Sequence, residues 1–504
     1  MHKITISLIF TLLFCITASA QVNNPKKITQ QIETYLTELE NVGFSGTVLV
    51  ELNGEKVISK GYGYSDKAKL IKNKPTTVFS TGSITKQFTA TAILKLEMQG
   101  KLSTDDKISK YFNNVPKDKS NITLHDLLRH QSGLVSNVGD DYEKISKTDF
   151  IEKVLNSELR FESGTQFSYS NIGYSLLAII IENVSGMKYE NYLYENLFKP
   201  AQMEFTGTTR PKFDTNTIAI GYFRDDKVWG KPKIDKEFDK DTTYWNLKGN
   251  GGILSTTEDL YQWHKALMGN KILSEEAKQK LYHPRLRTNE NENPYYAYGW
   301  DILKTDRNTL RVWHNGTNNI IYADFMRFVD ENVTLIMLSN KSHPNFDGIN
   351  TEIAKIIFDE NYKPTIPIAD NKANQKYSQN LIEIILSKGI EAGKENYKKR
   401  PKKINILEYI LNAKGYEFLS QKNFDKSIEL FIMNTFAFPK SANGFDSLGE
   451  AYMKKGDKTL AIKNYEKSLE LNPNNGNAKD MLLELRKTTK QIKALPRNVL
   501  YNSE

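Results

Sequence analysis

The chain has 504 residues, 39% hydrophobic and 11% aromatic, long enough for two or three domains and apolar enough for buried cores. Lys and Arg number 69 against 60 Asp and Glu, and the net charge of +9 is spread along the chain. With no helix-turn-helix, zinc-finger or RNA-binding signature beside it, that balance argues against nucleic acid as a partner.

Residues 1–20 read as a secretory signal peptide. His2 and Lys3 form a short basic start, Ile4 to Ile16 is mostly apolar, and Ala18-Ser19-Ala20 is a small-x-small cleavage site. The only cysteine, Cys15, lies inside this segment behind the bulky Phe14, which argues against lipidation. The mature chain therefore has no thiol chemistry, disulfide or cysteine-based metal site. No later stretch is long and apolar enough to span a membrane, so the expected location is periplasmic or secreted.

Phe44 to Val50 and Lys56 to Tyr62 read as strands flanking Asn53-Gly54, a strong hairpin signal. Next comes Phe79-Ser80-Thr81-Gly82-Ser83-Ile84-Thr85-Lys86, which reads as a strand end, a tight turn and then an apolar helix over Phe88, Ala92, Ile93 and Leu96, closed by Gly100. Ser83 and Lys86 are three residues apart, so a helix sets them on one face. A hydroxyl becomes a good nucleophile only when a base takes its proton, and a lysine can do so if burial lowers its pKa. The spacing alone is weak, since Ser185-Gly186-Met187-Lys188 matches it at what reads as a helix end. The strand-turn-helix setting is what singles out Ser83. It presents the hydroxyl at a helix N-terminus, where free N–H groups favour developing negative charge.

Thr123-Leu124-His125-Asp126 opens a helix with a capping box, closed at Gly133. Tyr169-Ser170-Asn171 precedes a strongly apolar helix, Ile172 to Val184. Tyr-x-Asn also occurs at Tyr111, Tyr189, Tyr194 and Tyr244, so position rather than pattern marks Tyr169. Tyr169 can serve as a base if cations stabilise its phenolate, and Asn171 can donate to a substrate carbonyl and accept from Lys86. Ser255-Thr256-Thr257-Glu258 reads as a second capping box. Strands return at Leu310–Trp313, Tyr322–Phe328 and Val333–Leu338, with His314-Asn315-Gly316 following the first. Strands at both ends and helices between predict one antiparallel sheet whose first hairpin joins the last strands.

Residues 364–376 read as a linker. Beyond it a 34-residue period sets Phe445, Gly449, Tyr452, Ala461, Tyr465 and Pro473 over Leu411, Gly415, Phe418, Ser427, Phe431 and Pro439. This is the tetratricopeptide spacing, and residues 377–404 supply a degenerate third pair. The expected organisation is a signal peptide over 1–20, a catalytic domain over 21–363, a linker over 364–376, helical repeats over 377–490 and a tail over 491–504.

Taken together, Ser83-x-x-Lys86, Tyr169-x-Asn171 and His314-x-Gly316 resemble the serine β-lactamase/penicillin-binding protein superfamily. The match is to the branch of class C β-lactamases, DD-peptidases, esterases and D-amino-acid amidases. The resemblance covers roughly residues 30–360 and extends to Phe44-Ser45-Gly46, His130-Gln131-Ser132-Gly133-Leu134 and Gly251-Gly252-Ile253-Leu254-Ser255-Thr256. It implies an α+β fold of the β-lactamase/transpeptidase type, an antiparallel sheet flanked by helices, followed by an all-α tetratricopeptide domain. It also implies Ser83 as the acylated nucleophile, Lys86 as its proton acceptor or relay, and Tyr169 as base in acylation and deacylation. Asn171 would orient Lys86 and the substrate amide, and the Ser83 and Thr317 N–H groups would form the oxyanion hole. His314 and Gly316 take the third-motif place, where typical members have Lys-Thr-Gly. A neutral histidine there disfavours carboxylate-bearing substrates and favours esters, amides or small D-amino-acid peptides. No metal or other cofactor is implied. The expected partners are a small-molecule or peptide substrate and a protein bound through the repeats. The alternative is a penicillin-binding-type sensor or scaffold.

Overall fold

The structure, a computed structural model, describes residues 24–486 except 213, 224–225, 233–239, 241, 284–285, 290–291, 319, 344–345, 370–371, 474, 480 and 484. The signal peptide expected over 1–20 and the tail expected over 491–504 lie outside the described residues. The chain divides into two compact units, Met1–Ile366 and Pro367–Glu504. Among the described residues no helix is long and apolar enough to cross a membrane.

The first unit is built on an eight-stranded antiparallel sheet. Its strands are β1 (Gly46–Leu52), β2 (Glu55–Tyr62), β3 (Leu286–Asn289), β4 (Glu292–Tyr296), β5 (Asp301–Lys304), β6 (Leu310–Thr317), β7 (Tyr322–Phe328) and β8 (Val333–Ser339). They lie in the order β2-β1-β8-β7-β6-β5-β4-β3, so the N-terminal hairpin does join the last strand. The hairpin turns at Asn53 and Gly54, whose φ values of 54° and 80° match a turn that follows the strand twist.

The central strands are buried on both faces, which explains their near-continuous apolar runs. Val48, Val50, Leu335 and Met337 pack with Ile32, Leu36 and Leu39 of the Pro25–Asn41 helix and Ile353 and Ile357 of the Ile349–Phe358 helix. Their neighbours Leu49, Ile336 and Leu338 point the other way, as the period of two requires. These join a second core with Phe88, Ile93 and Trp263.

Several boundaries differ from the sequence reading. The helix after Ser83 runs Thr85–Met98, starting one turn earlier than Phe88. The cap of the Thr257–Met268 helix is Thr256, whose hydroxyl accepts from Asp259 N–H, so the cap sits one residue later than the expected Ser255, and the Asp259 carboxylate turns to Phe205 N–H and Thr206 instead of closing a box. β6 continues through His314, Asn315, Gly316 and Thr317 instead of stopping at Trp313. Each of the four finds a β7 partner, from His314 opposite Phe325 to Thr317 opposite Tyr322.

The described part of the second unit is helical: Lys372–Lys388 with Ile390–Lys399, Glu408–Ser420 with Phe424–Ala437, and Ala442–Lys455 with Lys458–Leu471. The first of these begins inside the 364–376 stretch expected as linker, because Tyr377, Leu381 and Ile385 belong to one apolar face that packs with Leu411 and Leu430. The period has a direct structural cause. A Cβ on Gly415 would lie 2.5 Å from the Phe431 ring, and one on Gly449 would lie 3.0 Å from the Tyr465 ring. Thirty-four residues apart, the same glycine-on-ring contact closes the second and third helix pairs.

Candidate active site

Ser83 sits in a single 3-10 turn, Gly82–Ile84, that runs directly into the Thr85–Met98 helix. The turn is fixed from below by the 250–254 segment. The Thr81 N–H and hydroxyl both donate to the Ile253 carbonyl at 3.0 and 2.8 Å, and the Ile253 N–H donates to Thr85 Oγ1 at 3.1 Å. From the side it is fixed by β6. A Cβ on Gly316 would lie 2.1 Å from the Thr81 carbonyl oxygen and 2.6 Å from Ser83 N, so only glycine lets the strand pass this close. A Cβ on Gly82, at φ 51°, would lie 2.9 Å from Thr317 N. The backbones bearing the Ser83 and Thr317 N–H groups therefore meet here.

Lys86 is fully buried. Its Nζ lies 3.0 Å from Ser83 Oγ, 2.9 Å from Asn171 Oδ1 and 2.9 Å from the Asn250 carbonyl oxygen. Burial pushes its pKa well below the ordinary lysine range; the field of Asp141 opposes this without reversing it. The partners agree with a neutral amine. Two of the three are carbonyl oxygens that only accept; a neutral amine gives them its two N–H bonds and keeps its lone pair for the Ser83 hydroxyl. The Nζ also stands 4.7 Å from the centre of the Tyr169 ring.

Tyr169 and Asn171 are positioned by the Asn171–Ser185 helix, capped by the Ser170 hydroxyl accepting from Gly173 N–H at 3.3 Å. The buried His130 holds the segment entering this helix: its Nδ1 accepts from Ser170 N–H at 3.1 Å, and its ring lies 4.2 Å from that of Tyr169. The Asn171 amide donates to Asn137 Oδ1 at 2.9 Å, which leaves its oxygen turned toward Lys86. The Tyr169 side chain is half-buried, and desolvation raises its pKa; a hydrogen bond from Ser83 pulls the other way but does not restore it.

His314 faces the same cleft from β6. Its Nδ1 donates to the Asn315 carbonyl at 2.6 Å, since that oxygen only accepts. Its Nε2 then accepts from the Tyr296 hydroxyl at 3.1 Å. Burial, with Lys86 nearby, lowers its pKa to about 3. The third-motif position therefore carries no positive charge.

Ser83, Lys86, Tyr169 and Asn171 thus converge, with Gly316 and Thr317 along one side and His314 behind. The sequence reading missed the Asn250 carbonyl, a Lys86 partner with no side-chain signature, and Asn137, whose loop position has no periodicity. The clue to the first was the glycine-rich run Gly249-Asn250-Gly251-Gly252.

A beta-lactamase family model matches residues 30–357, about two thirds of the chain. The chain belongs to the beta-lactamase family. A tetratricopeptide-repeat model matches residues 447–475 in the second unit. Penicillin-binding protein 4* of Bacillus subtilis is 30% identical over 313 residues, covering 59% of this chain and 68% of that protein. Protein flp of Staphylococcus aureus is 29% identical over 378 residues, covering 71% and 72%. Putative penicillin-binding protein PbpX of Bacillus subtilis is 35% identical over 270 residues, covering 54% of this chain and 66% of that protein. Among solved structures, a penicillin-binding protein from Bacillus halodurans superposes with a TM-score of 0.55 at 26% identity, covering 64% of this chain and 98% of that one.

Proposed function

We propose that the protein is an exported serine hydrolase acting through a covalent acyl-enzyme on an ester, amide or small D-amino-acid peptide. The observation that carries this reading is the Lys86 amine, buried, turned by two carbonyl acceptors and 3.0 Å from Ser83 Oγ. As Ser83 Oγ forms its bond to the substrate carbonyl carbon, its proton passes to the Lys86 lone pair. The carbonyl oxygen takes the negative charge between the Ser83 and Thr317 N–H groups. Collapse expels the alcohol or amine, which takes a proton back from the site through the Tyr169 hydroxyl. Water then attacks the acyl carbon by the same route, restoring Ser83 and releasing the acid.

The electrostatics favour Lys86 over Tyr169 as resting base. Burial makes a lysine lose its proton and makes a phenol keep it, so Tyr169 serves this scheme as a proton relay. The neutral His314 supports substrates without a carboxylate at that end. The tetratricopeptide match supports a protein partner for the second unit, and export rests on the signal-like residues 1–20. Incubation with a fluorophosphonate, read by intact mass, tests the reading: Ser83 should be the modified residue and Ser83→Ala should stay unlabelled. Labelling elsewhere, or none, would favour a sensor or scaffold.

A further inference from the structure

The positive charge that reads as spread along the chain has one local concentration. Between Asn396 and Leu407 stand Lys398, Lys399, Arg400, Lys402 and Lys403, and no acid. They occupy the end of the Ile390–Lys399 helix and the turn that leaves it. All but Arg400 are exposed. The two acids of that helix are already engaged, Glu391 by Lys394 at 2.7 Å and Glu395 by Lys399 at 2.9 Å. Lys398, Lys402 and Lys403 have no ion pair among the described residues. Arg400 folds back to hold the turn. Its Nε donates to the Ile404 carbonyl at 3.0 Å, its Nη1 donates to the Tyr397 carbonyl at 2.9 Å, and its guanidinium lies 3.8 Å from the centre of the Tyr397 ring. The one side chain of the run suited to a two-bond grip on a carboxylate is thus committed to the backbone. What faces outward is lysine, a compact charge on a flexible stem.

An exposed aromatic ring stands against this run. Phe436, near the end of the Phe424–Ala437 helix, is 38% exposed. Its ring lies 6.0 Å from that of Tyr397, and the Nζ atoms of Lys394 and Lys398 lie 5.7 and 5.8 Å from its centre. Lys440, just beyond the helix, is exposed as well, and the nearest acid on the helix itself is Glu429, in its first half. The two helices are the second members of consecutive pairs and pack on each other, so the ring and the lysines share one continuous face.

We propose that this face docks the second unit on a membrane surface rich in anionic lipid headgroups. Lys398, Lys402 and Lys403 lie over the headgroup phosphates, and the Phe436 ring enters the boundary between headgroups and acyl chains. An acidic polypeptide would use the lysines and leave the exposed ring without a role, whereas a lipid surface uses both. Flexible lysines also suit a fluid surface, whose charges have no fixed geometry for a planar fork to match. One ring and a few cations give reversible, salt-sensitive attachment.

The test is co-sedimentation of the chain from Gln21 on, which keeps the apolar 1–20 segment from contributing, with phosphatidylcholine vesicles with or without phosphatidylglycerol. Wild type should bind the anionic vesicles, lose binding as salt is raised, and leave pure phosphatidylcholine largely unbound. The triple change Lys398→Gln, Lys402→Gln and Lys403→Gln should weaken binding by about fivefold per lysine, roughly a hundredfold in all. Phe436→Ser should weaken it by about five- to tenfold. The triple change Lys426→Gln, Lys454→Gln and Lys463→Gln removes the same charge elsewhere on the unit and should stay within about twofold. Every lysine in both sets is exposed, so neither set disturbs a core. Equal losses from the two triples would mean that net charge alone attracts the chain, and would overturn the proposal. So would no binding to anionic vesicles, or equal binding to both kinds. Binding to soluble polyglutamate, sensitive to the first triple and indifferent to Phe436→Ser, with no vesicle binding, would make an acidic polypeptide the occupant and overturn it too.

Discussion

Two lysines of the first unit are almost equally buried and electrically opposite. Lys86 has only uncharged groups within hydrogen-bond reach, and burial drives its pKa down. Lys248 lies 3.1 Å from Glu182 and 3.2 Å from Glu190, and all three are buried. Burial works against its charge too, but the two carboxylates outweigh it and hold its pKa above the ordinary lysine range. Burial alone therefore does not decide what a lysine does; the charge of its partners does. The two regions are also mechanically joined. Lys248 and Asn250 share one short segment, and Glu182 lies on the helix that begins with Asn171. The charged cluster thereby clamps both elements that supply the carbonyl oxygens for Lys86.

The comparison is broken most strongly at Ser83, the proposed nucleophile. Ser83→Ala should lower ester turnover roughly a thousandfold or more while leaving the melting temperature nearly unchanged, as a half-buried hydroxyl contributes little packing. Ester turnover that survives would remove Ser83 from the mechanism.

The second break separates the lysines by stability. Lys248→Met leaves the buried Glu190 without its counter-charge, while Glu182 keeps Lys147 at 2.6 Å, and should cost about 3 kcal/mol, read by denaturant unfolding. Lys86→Met strands no charge and should cost much less while abolishing turnover. Equal losses would mean that Lys86 is charged in the resting protein.

A third prediction uses a carboxyl behind β6. Asp324 is buried on β7 opposite Asn315, and burial, against the pull of Arg311, raises its pKa to about 7. An acid raised on folding adds stability below its unfolded value of about 3.9, and that contribution is lost as pH rises through the folded value. Asp324→Asn should therefore gain in melting temperature relative to wild type between pH 4 and 7. Asp301, raised by burial to about 7 as well, should leave part of the wild-type slope in place. A constant difference across that range would mean that Asp324 stays ionised.

The smallest expected effect is at His314. Replacing a neutral, buried imidazole by lysine should shift preference toward carboxylate-bearing substrates by about three- to tenfold, limited by the cost of charging the new amine in a buried site. Unchanged selectivity would remove His314 from the specificity argument.

The sequence made the chemistry legible where local signals coincide. Gly82, Ser83 and Lys86 occupy consecutive turns of one element, and Ser170 caps the helix that carries Asn171. The antiparallel sheet was readable because Asn53-Gly54 and the Val333 run are strong local signals. The repeats were readable because Gly415 and Gly449 face rings at a fixed period. Less legible were contacts made by backbone or across long separations. The Asn250 carbonyl has no side-chain signature, and the Lys248 cluster draws on residues more than fifty positions apart. The continuation of β6 through His314 depends on pairing with β7, which no pattern in the 314–317 segment announces. Asn137 matters because its loop is held against the helix that begins at Asn171, a contact that nothing in the loop itself announces.

The most direct test of a neutral Lys86 is the pH dependence of Ser83 acylation by a fluorophosphonate. A lysine whose pKa is depressed on folding is deprotonated above that value, so the second-order rate should fall only on the acid side and be level well below the free-lysine value of about 10.4. The same shift requires stability to rise with pH between the folded and unfolded values, because the unfolded chain binds the extra proton there. An acylation rate still climbing toward pH 10 would show that Lys86 holds its proton in the resting site and would contradict its role as the base.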